Sequence, residues 1–229
     1  MTADIWPVIE LSLRVAAVAT AVTFVPATLM GYALARHSFP GKRLASALTT
    51  LPMVLPPTAA GFLLLRLLSV QGPLGRDTLG FDLGVLLTWK AAVLASALMS
   101  APLIVRTARV TFEGIDPRLE MISRTLGHGR LRTFLGVSLP LARRGLLSAA
   151  ILGFTRALGE FGATVTLAGN IPGRTQTLSS AIFEAQQVGD TGRADALMWV
   201  ALGIGFTSIL VAEWIACPSP SRPLNSPRP

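Results

Sequence analysis

The chain has 229 residues, of which 51% are hydrophobic and only 14% charged, with a mean hydropathy of +0.58. Soluble domains carry roughly 25% charged residues, so this sequence has too little polar surface to cover a globule in water. Twenty Lys and Arg face twelve Asp and Glu, a net charge of +8. Long stretches carry none of that charge, which argues against a soluble nucleic-acid binder with basic, solvated faces. One cysteine, Cys217, excludes a disulfide framework and a cysteine-rich metal site. His37 and His128 are far apart and make no zinc cluster by themselves, so no metal site is expected. The composition is that of an all-α integral membrane protein.

Five spans are expected in chain order, about 15–35, 44–65, 83–105, 145–167 and 196–214, since a helix needs about 20 apolar residues to cross the hydrocarbon core. The first two contain no charged residue. Lys90 lies near the start of the third, beside Trp89, and is placed to snorkel toward the interface. The fourth contains Arg156 and Glu160. Trp199 and Trp214 bracket the fifth, as amphipathic rings do at the two bilayer surfaces. Asp4 and Glu10 precede the first basic residue, Arg14, the reverse of a signal peptide's positive start. The second span is interrupted by Pro52, Pro56 and Pro57, and a broken helix in a membrane lines a cavity or packs inside protein.

With the N-terminus outside, inner segments hold thirteen basic residues and outer segments six, Arg156 being intramembrane. Positive loops stay inside, so an N-out, C-in, multi-pass topology is expected. Residues 1–216 form one transmembrane domain. The Pro- and Ser-rich tail 217–229 is expected to be a disordered cytoplasmic extension, with Cys217 inert near the inner surface. No internal repeat is evident, and five spans hardly enclose a path, so transport would require two copies.

The inner loop 106–144 carries eight arginines. Asp116 can cap a helix beginning at Pro117. Ile115, Leu119, Ile122 and Leu126 then form an apolar stripe, and Glu120 can pair with Arg124 four residues on. Gly127 sits where a left-handed C-terminal residue is needed. A second short helix, about 130–138, is expected to stop before Pro140. The product is a basic, part-apolar knob.

Here the chain resembles the inner-membrane subunits of ABC importers. Their inner loop carries Glu-Ala-Ala, three residues, Gly, nine residues, Ile, one residue and Leu-Pro. Gly127 is followed by nine residues and then Val137, Ser138, Leu139 and Pro140, which matches with Val for Ile. Met121, Ile122 and Ser123 replace Glu-Ala-Ala, and Glu120 stands one residue early. The segments LPMVLPPTAAGFLLL (51–65), TWKAAVLASALMSAPLIVRTAR (88–109) and RALGEFGATVTLAGNIPGRTQTLSSAIF (156–183) resemble molybdate permeases. Sulfate permeases share Glu-Phe-Gly-Ala and Gly-Asn-Ile, so sulfate or thiosulfate and tungstate are alternative cargoes; AGNIPGRTQTL favours molybdate.

The resemblance implies the type I ABC importer transmembrane fold in a bacterial inner membrane. It also implies a homodimer, two ABC ATPase subunits on the inner loops, and a periplasmic or surface-tethered oxyanion-binding protein. The coupling residues it implies are Asp116, Pro117, Leu119, Glu120, Ile122, Ser123, Leu126, Gly127, Leu139 and Pro140. No nucleic-acid partner is expected.

No Gly-x-x-x-x-Gly-Lys-Ser/Thr loop occurs, the nearest fragment being Pro40-Gly41-Lys42-Arg43. The chain is therefore expected not to be an enzyme and to hold no cofactor or catalytic residue. ATP and Mg would be bound by the partner ATPase. Pro56, Pro57, Thr58, Gly61, Arg156 and Glu160 are candidates for the translocation path. An ionisable pair in a span must face protein or water, so Arg156 and Glu160 either flank the path or lock helices structurally. Gly153 with Ala157, and Gly159 with Ala163, suit close helix packing, across a dimer axis among other places. In the outer loop, Asn170 and Arg174 are candidates for meeting an anion or a delivering protein, although Arg174 is equally readable as a solvated turn residue. The competing readings are a membrane scaffold whose basic loop binds lipid, and a self-contained ion-coupled transporter or channel.

Overall fold

The computed structural model describes residues 5–81 and 83–216, and every regular element among them is helical. Asp4 and the expected tail 217–229, with Cys217, Arg222 and Arg228, lie outside the described residues. In chain order the helices are α1 (Trp6–Arg36), α2 (Lys42–Val54), α3 (Pro57–Leu68), α4 (Arg76–Leu79), α5 (Trp89–Glu113) and α6 (Pro117–Thr125). They continue with α7 (Arg130–Thr133), α8 (Leu139–Leu158), α9 (Gly162–Ala168), α10 (Leu178–Gln187) and α11 (Thr191–Ala216). A π turn, Phe134–Ser138, joins α7 to α8.

Four stretches are long and apolar enough to cross a membrane: α1, α5, Arg130–Leu158 and α11. A fifth arises if α2 and α3, bent by 111° at Leu55–Pro56, count as one broken span. Proline explains where this break falls. Pro56 and Pro57 together remove two donors and bar Leu55 from helical geometry. Pro52 is absorbed inside α2.

The helical bundle departs from the expected boundaries in three places. First, α1 begins at Trp6, because Glu10 and Arg14 lie in its first turns without ending it. Second, the helical path does not stop before Pro140. The π turn bonds the N–H of Leu139 to the carbonyl of Phe134, so the missing donor of Pro140 falls at a change of register and not in mid-ladder. Third, the expected span 145–167 is interrupted: α8 ends at Leu158, and α9 begins at Gly162.

α1, α5 and α8 form the centre, packed through small residues. Ala16, Ala19, Ala91, Ala92, Ala95, Ala108, Ala142 and Ala149 are all fully buried. A Cβ on Gly31 would lie 2.9 Å from both the Ala108 Cβ and the Val105 carbonyl oxygen. One on Gly153 would lie 2.6 Å from Ile104. Without a hydrophobic drive between helices in lipid, such close approach supplies the attraction through dispersion. Gly153 and Ala157 thus pack within this chain, while Gly159 and Ala163 are separated by the helix break.

Several hydroxyls inside the apolar helices bond one turn back. Thr20, Thr23, Thr155 and Thr166 donate to the carbonyls of Ala16, Ala19, Ile151 and Gly162. α11 lies outermost, exposing Trp199, Leu202, Phe206 and Trp214, as a helix facing lipid does.

Gly31→Ala must displace backbone and should cost about 1–3 kcal/mol, read as a lower unfolding temperature in detergent. Gly203→Ala, which meets open space in α11, should leave that temperature unchanged or slightly raised.

Candidate functional site

Three neighbourhoods carry buried polar chemistry, one at the α6 end of the bundle, one near its middle and one at the opposite end. At the α6 end, the Asp116 carboxylate accepts from the Arg118 N–H at 2.9 Å and Pro117 opens the helix. Its other end is closed in full. Gly127 has φ +85°, its N–H donates to the Arg124 carbonyl, and the His128 N–H donates to the Ser123 carbonyl. Both bonds of a Schellman motif are therefore made.

The two faces of α6 differ sharply. Leu119, Ile122 and Leu126 are exposed, Leu126 at 72%, together with Met121. Glu120 and Ser123 are turned inward, at 6% and 5%. Glu120 does not pair with Arg124. Its Oε1 accepts from Arg36 Nε at 3.0 Å and from the Ser138 hydroxyl at 2.7 Å. Arg36 also donates to the Ile115 carbonyl at 2.8 Å. The inward position decides the pairing: a buried carboxylate needs a buried cation, whereas Arg124 is exposed. Arg36 thus joins the last turn of α1 to both the entry and the inner face of α6.

The Ser123 hydroxyl lies 3.2 Å from His128 Nδ1 and 3.1 Å from the Thr133 hydroxyl, tying α6 to α7. Beside this polar set, Tyr32 meets Phe112 and Phe134 with ring centroids 5.1 and 4.6 Å apart. Phe112 is wholly buried, and Ile115 and Leu139 pack on the same cluster. Leu139 therefore belongs to the base under the knob, and Pro140 is exposed at the start of α8.

Near the middle of the bundle, two helix breaks lie side by side. Gly162 sits against Pro57 and Thr58, and Gly61 against Ala163 and Thr166; a Cβ at either glycine would come within about 3 Å of these atoms. Glycine at both positions lets α3 and α9 touch. Between the α8 and α9 ends lies Glu160, 2% exposed. Its Oε2 accepts from Arg156 at 2.7 Å and its Oε1 from the Ala163 N–H at 3.1 Å. Arg156 and Glu160 form an ion pair, but not on one continuous helix: Glu160 stands in the break and caps α9. The Arg156 side chain keeps 34% exposure, so its charge is only partly enclosed. Ala157 and Leu158 pack with Ala16 and Ala19, which sets the pair level with the middle of α1.

At the end opposite α6, Gly169 and Gly173 turn the 169–177 loop with φ +75° and +73°. Asn170 Nδ2 donates to Glu184 at 2.6 Å, and Gln176 donates to the same carboxylate oxygen. Thr175, Gln176 and Thr177 are buried, and Arg174 is exposed. Ser12 accepts from the Leu178 N–H at 2.6 Å, fastening α10 to α1. Sequence reasoning missed Glu184, Gln176 and Ser12, since their partners are remote and no spacing marks them. It also missed the guanidinium of Arg14 stacked 4.4 Å over the Trp89 ring.

Two variants test the α6 attachment. Glu120→Ala leaves the Arg36 cation buried and unpaired, a cost of roughly 3–5 kcal/mol. Gly127→Val forces a β-branched residue into left-handed geometry, at about 1–2 kcal/mol. Both should speed tryptic cleavage at Arg124 and Arg130, whereas Met121→Ala, at an exposed side chain, should not.

The family model described as binding-protein-dependent transport system inner membrane component matches residues 27–216. The chain is 40% identical over 214 residues to the molybdenum transport system permease protein ModB of Escherichia coli K12, covering 92% of this chain and 93% of that one. It is 39% identical over 193 residues to the sulfate transport system permease protein CysT of Salmonella typhimurium, covering 84% and 70%. Among solved structures, an inward-facing MetNI methionine ABC transporter superposes with a TM-score of 0.68 at 16% identity, covering 94% of this chain and 98% of that one. A bacterial alginate ABC transporter, solved with an alginate-bound periplasmic protein, gives 0.71 at 15% identity, covering 94% and 78%. The fold is therefore that of type I ABC importer permeases, and the chain belongs to the family of binding-protein-dependent transport system inner membrane components.

Proposed function

We propose that this chain is the membrane-spanning subunit of an ATP-driven importer for an oxyanion, molybdate foremost, and that it works as a homodimer with two ATPase subunits. The observation that carries the mechanism is α6: an exposed apolar stripe on a helix capped at both ends and bolted to the bundle by Glu120. Such a face, rimmed by arginines, suits a groove on a protein partner. The cargo assignment is supported by the Escherichia coli relative's identity over nearly the whole chain. Sulfate is the second reading, supported by the Salmonella relative.

In this reading the chain performs no hydrolysis and holds no cofactor; ATP and Mg belong to the ATPase. Closure of the ATPase pair pushes α6. Arg36 passes the displacement to α1, and the Tyr32, Phe112 and Phe134 cluster passes it to α5 and α8. These helices pack too tightly to deform, so they tilt as bodies. The loops at the opposite end, with Asn170 and Arg174, face a binding protein that delivers the anion. In this reading the basic α6 end lies inside and the N-terminus outside, as positively charged loops do.

Pro56, Pro57, Thr58, Gly61, Arg156 and Glu160 line the path where α3 and α9 meet. A cation there attracts a dianion, and Glu160 keeps that attraction weak enough for release. Broken helices within a membrane are tolerated where they are buried in protein or line a water-filled cavity, which suits a path here.

Proteoliposomes holding the chain, its ATPase and the binding protein should accumulate molybdate only with ATP. The chain alone should accumulate none. Uphill accumulation by the chain alone, or indifference to ATP, would overturn the proposal, and stronger competition by sulfate than by unlabelled molybdate would select the second reading. Arg156→Gln should lower uptake about tenfold, about 1.4 kcal/mol of barrier, with ATPase co-purification retained. Unchanged uptake would remove Arg156 from the path.

A further inference from the structure

Charge is unevenly matched at the α6 end. The segment 106–144 holds eight arginines and three carboxylates, and all three carboxylates are engaged. Glu113 pairs with Arg109 at 2.8 Å, Asp116 caps α6, and Glu120 is buried against Arg36. Arg109 apart, the arginines of this segment are exposed, and among the described residues none of them forms an ion pair. Glu213, on α11, is exposed and pairs with none of them. Residues 217–229 contain no Asp or Glu that could supply the missing charge.

Two of these arginines share a cavity. The Schellman turn at Gly127 and His128 reverses the chain between α6 and α7, and Arg124 and Arg130 meet at one hollow of about 330 Å³. Arg36, His37, Glu120 and exposed Met121 are also in its wall. Glu120 already has its cation in Arg36, so the guanidiniums of Arg124 and Arg130 are the uncompensated charges there. The hollow lies at the small end of the range for ligand pockets, room for one side chain. It shares α6 with exposed Leu119, Ile122 and Leu126, so a protein covering that apolar stripe also reaches the hollow. A small free anion would satisfy the arginines and leave the stripe in water.

We propose that Arg124 and Arg130 form a socket for a carboxylate side chain of the ATPase subunit. The inference rests on the ATPase seat read above and adds the chemistry of the partner's surface: an apolar groove with an acidic residue at its edge. Two guanidiniums offer planar forks of donors that hold a carboxylate in one orientation. Enclosure by the wall of the hollow makes such a contact stronger than an ion pair on open surface. The stripe supplies buried apolar area, while the socket fixes register and selects the partner. An ATPase lacking the acid would leave two cations covered and unpaired.

The test uses the full chain in phosphatidylcholine nanodiscs and the ATPase of the transport assay above, with binding followed by surface plasmon resonance. Arg124→Gln/Arg130→Gln should weaken binding about tenfold and flatten its dependence on salt between about 50 and 300 mM. Arg124→Lys/Arg130→Lys should retain the salt dependence. Arg132→Gln/Arg143→Gln removes the same charge outside the hollow and should keep nearly wild-type affinity. An equal loss in both Gln pairs would reduce the effect to diffuse charge and overturn the socket, as would unchanged binding in the first pair. An effect that appears only when phosphatidylglycerol is added to the nanodiscs would assign the arginines to lipid and overturn it likewise. Failure of the wild type to bind the ATPase at all would remove the seat itself, a result distinct from a lost socket on an intact seat.

Discussion

A carboxylate removed from water has to find a cation, and in this chain that requirement fixes the α6 end. Glu120 is buried under α6, where Arg36 pairs with it and the Ser138 hydroxyl donates to it. Each partner comes from a different part of the chain: the end of α1, the middle of α6 and the end of the π turn. One oxygen atom, Oε1, accepts from both partners. The Schellman turn at Gly127 and the cap at Asp116 make α6 a rigid body, but the ion pair is what makes it part of the bundle. The aromatic contacts of Tyr32 with Phe112 and Phe134 add an apolar layer directly above.

The same economy appears at mid-bundle. Glu160 serves at once as counter-ion for Arg156 and as the acceptor that starts α9. The helix break is therefore part of the electrostatic design: ending α8 at Leu158 frees Glu160 to turn back toward Arg156 while accepting from the Ala163 N–H in the first turn of the next helix. The prolines of the α2–α3 break and the glycines at 61 and 162 bring a second interrupted backbone alongside. Two adjacent breaks, one buried carboxylate and one partly exposed guanidinium thus form a polar place at mid-bundle.

How far the sequence revealed this depended on the range of each interaction. The charge-free runs, the proline break after Leu55, the Asp116 cap and the left-handed Gly127 are local, and each was readable from a few neighbouring residues. The pairing of Glu120 was not. Its partner is 84 positions away, and the nearer Arg124 offered a plausible but wrong match. The glutamate stands one position early relative to the family pattern. On a helix, one residue is about 100° of rotation, and it is Glu120 that faces inward while Met121 points to solvent. The break after Leu158 was hidden for a related reason: a four-residue spacing fits an unbroken helix, and only tertiary contact with α3 reveals that Glu160 has left it. The wide turn at Phe134–Ser138 carries no composition signal at all.

The exposed stripe of Leu119, Ile122 and Leu126 has a consequence for the life of the subunit before assembly. Leu131 and Leu135 are exposed as well, so this end of the chain presents several apolar side chains among exposed arginines. Contiguous patches of this kind invite self-association unless something covers them. If that stripe is the ATPase seat proposed above, subunits made in excess of the ATPase would leave it uncovered and open to chaperones and proteases, and balanced production of the two chains would be enforced at that surface.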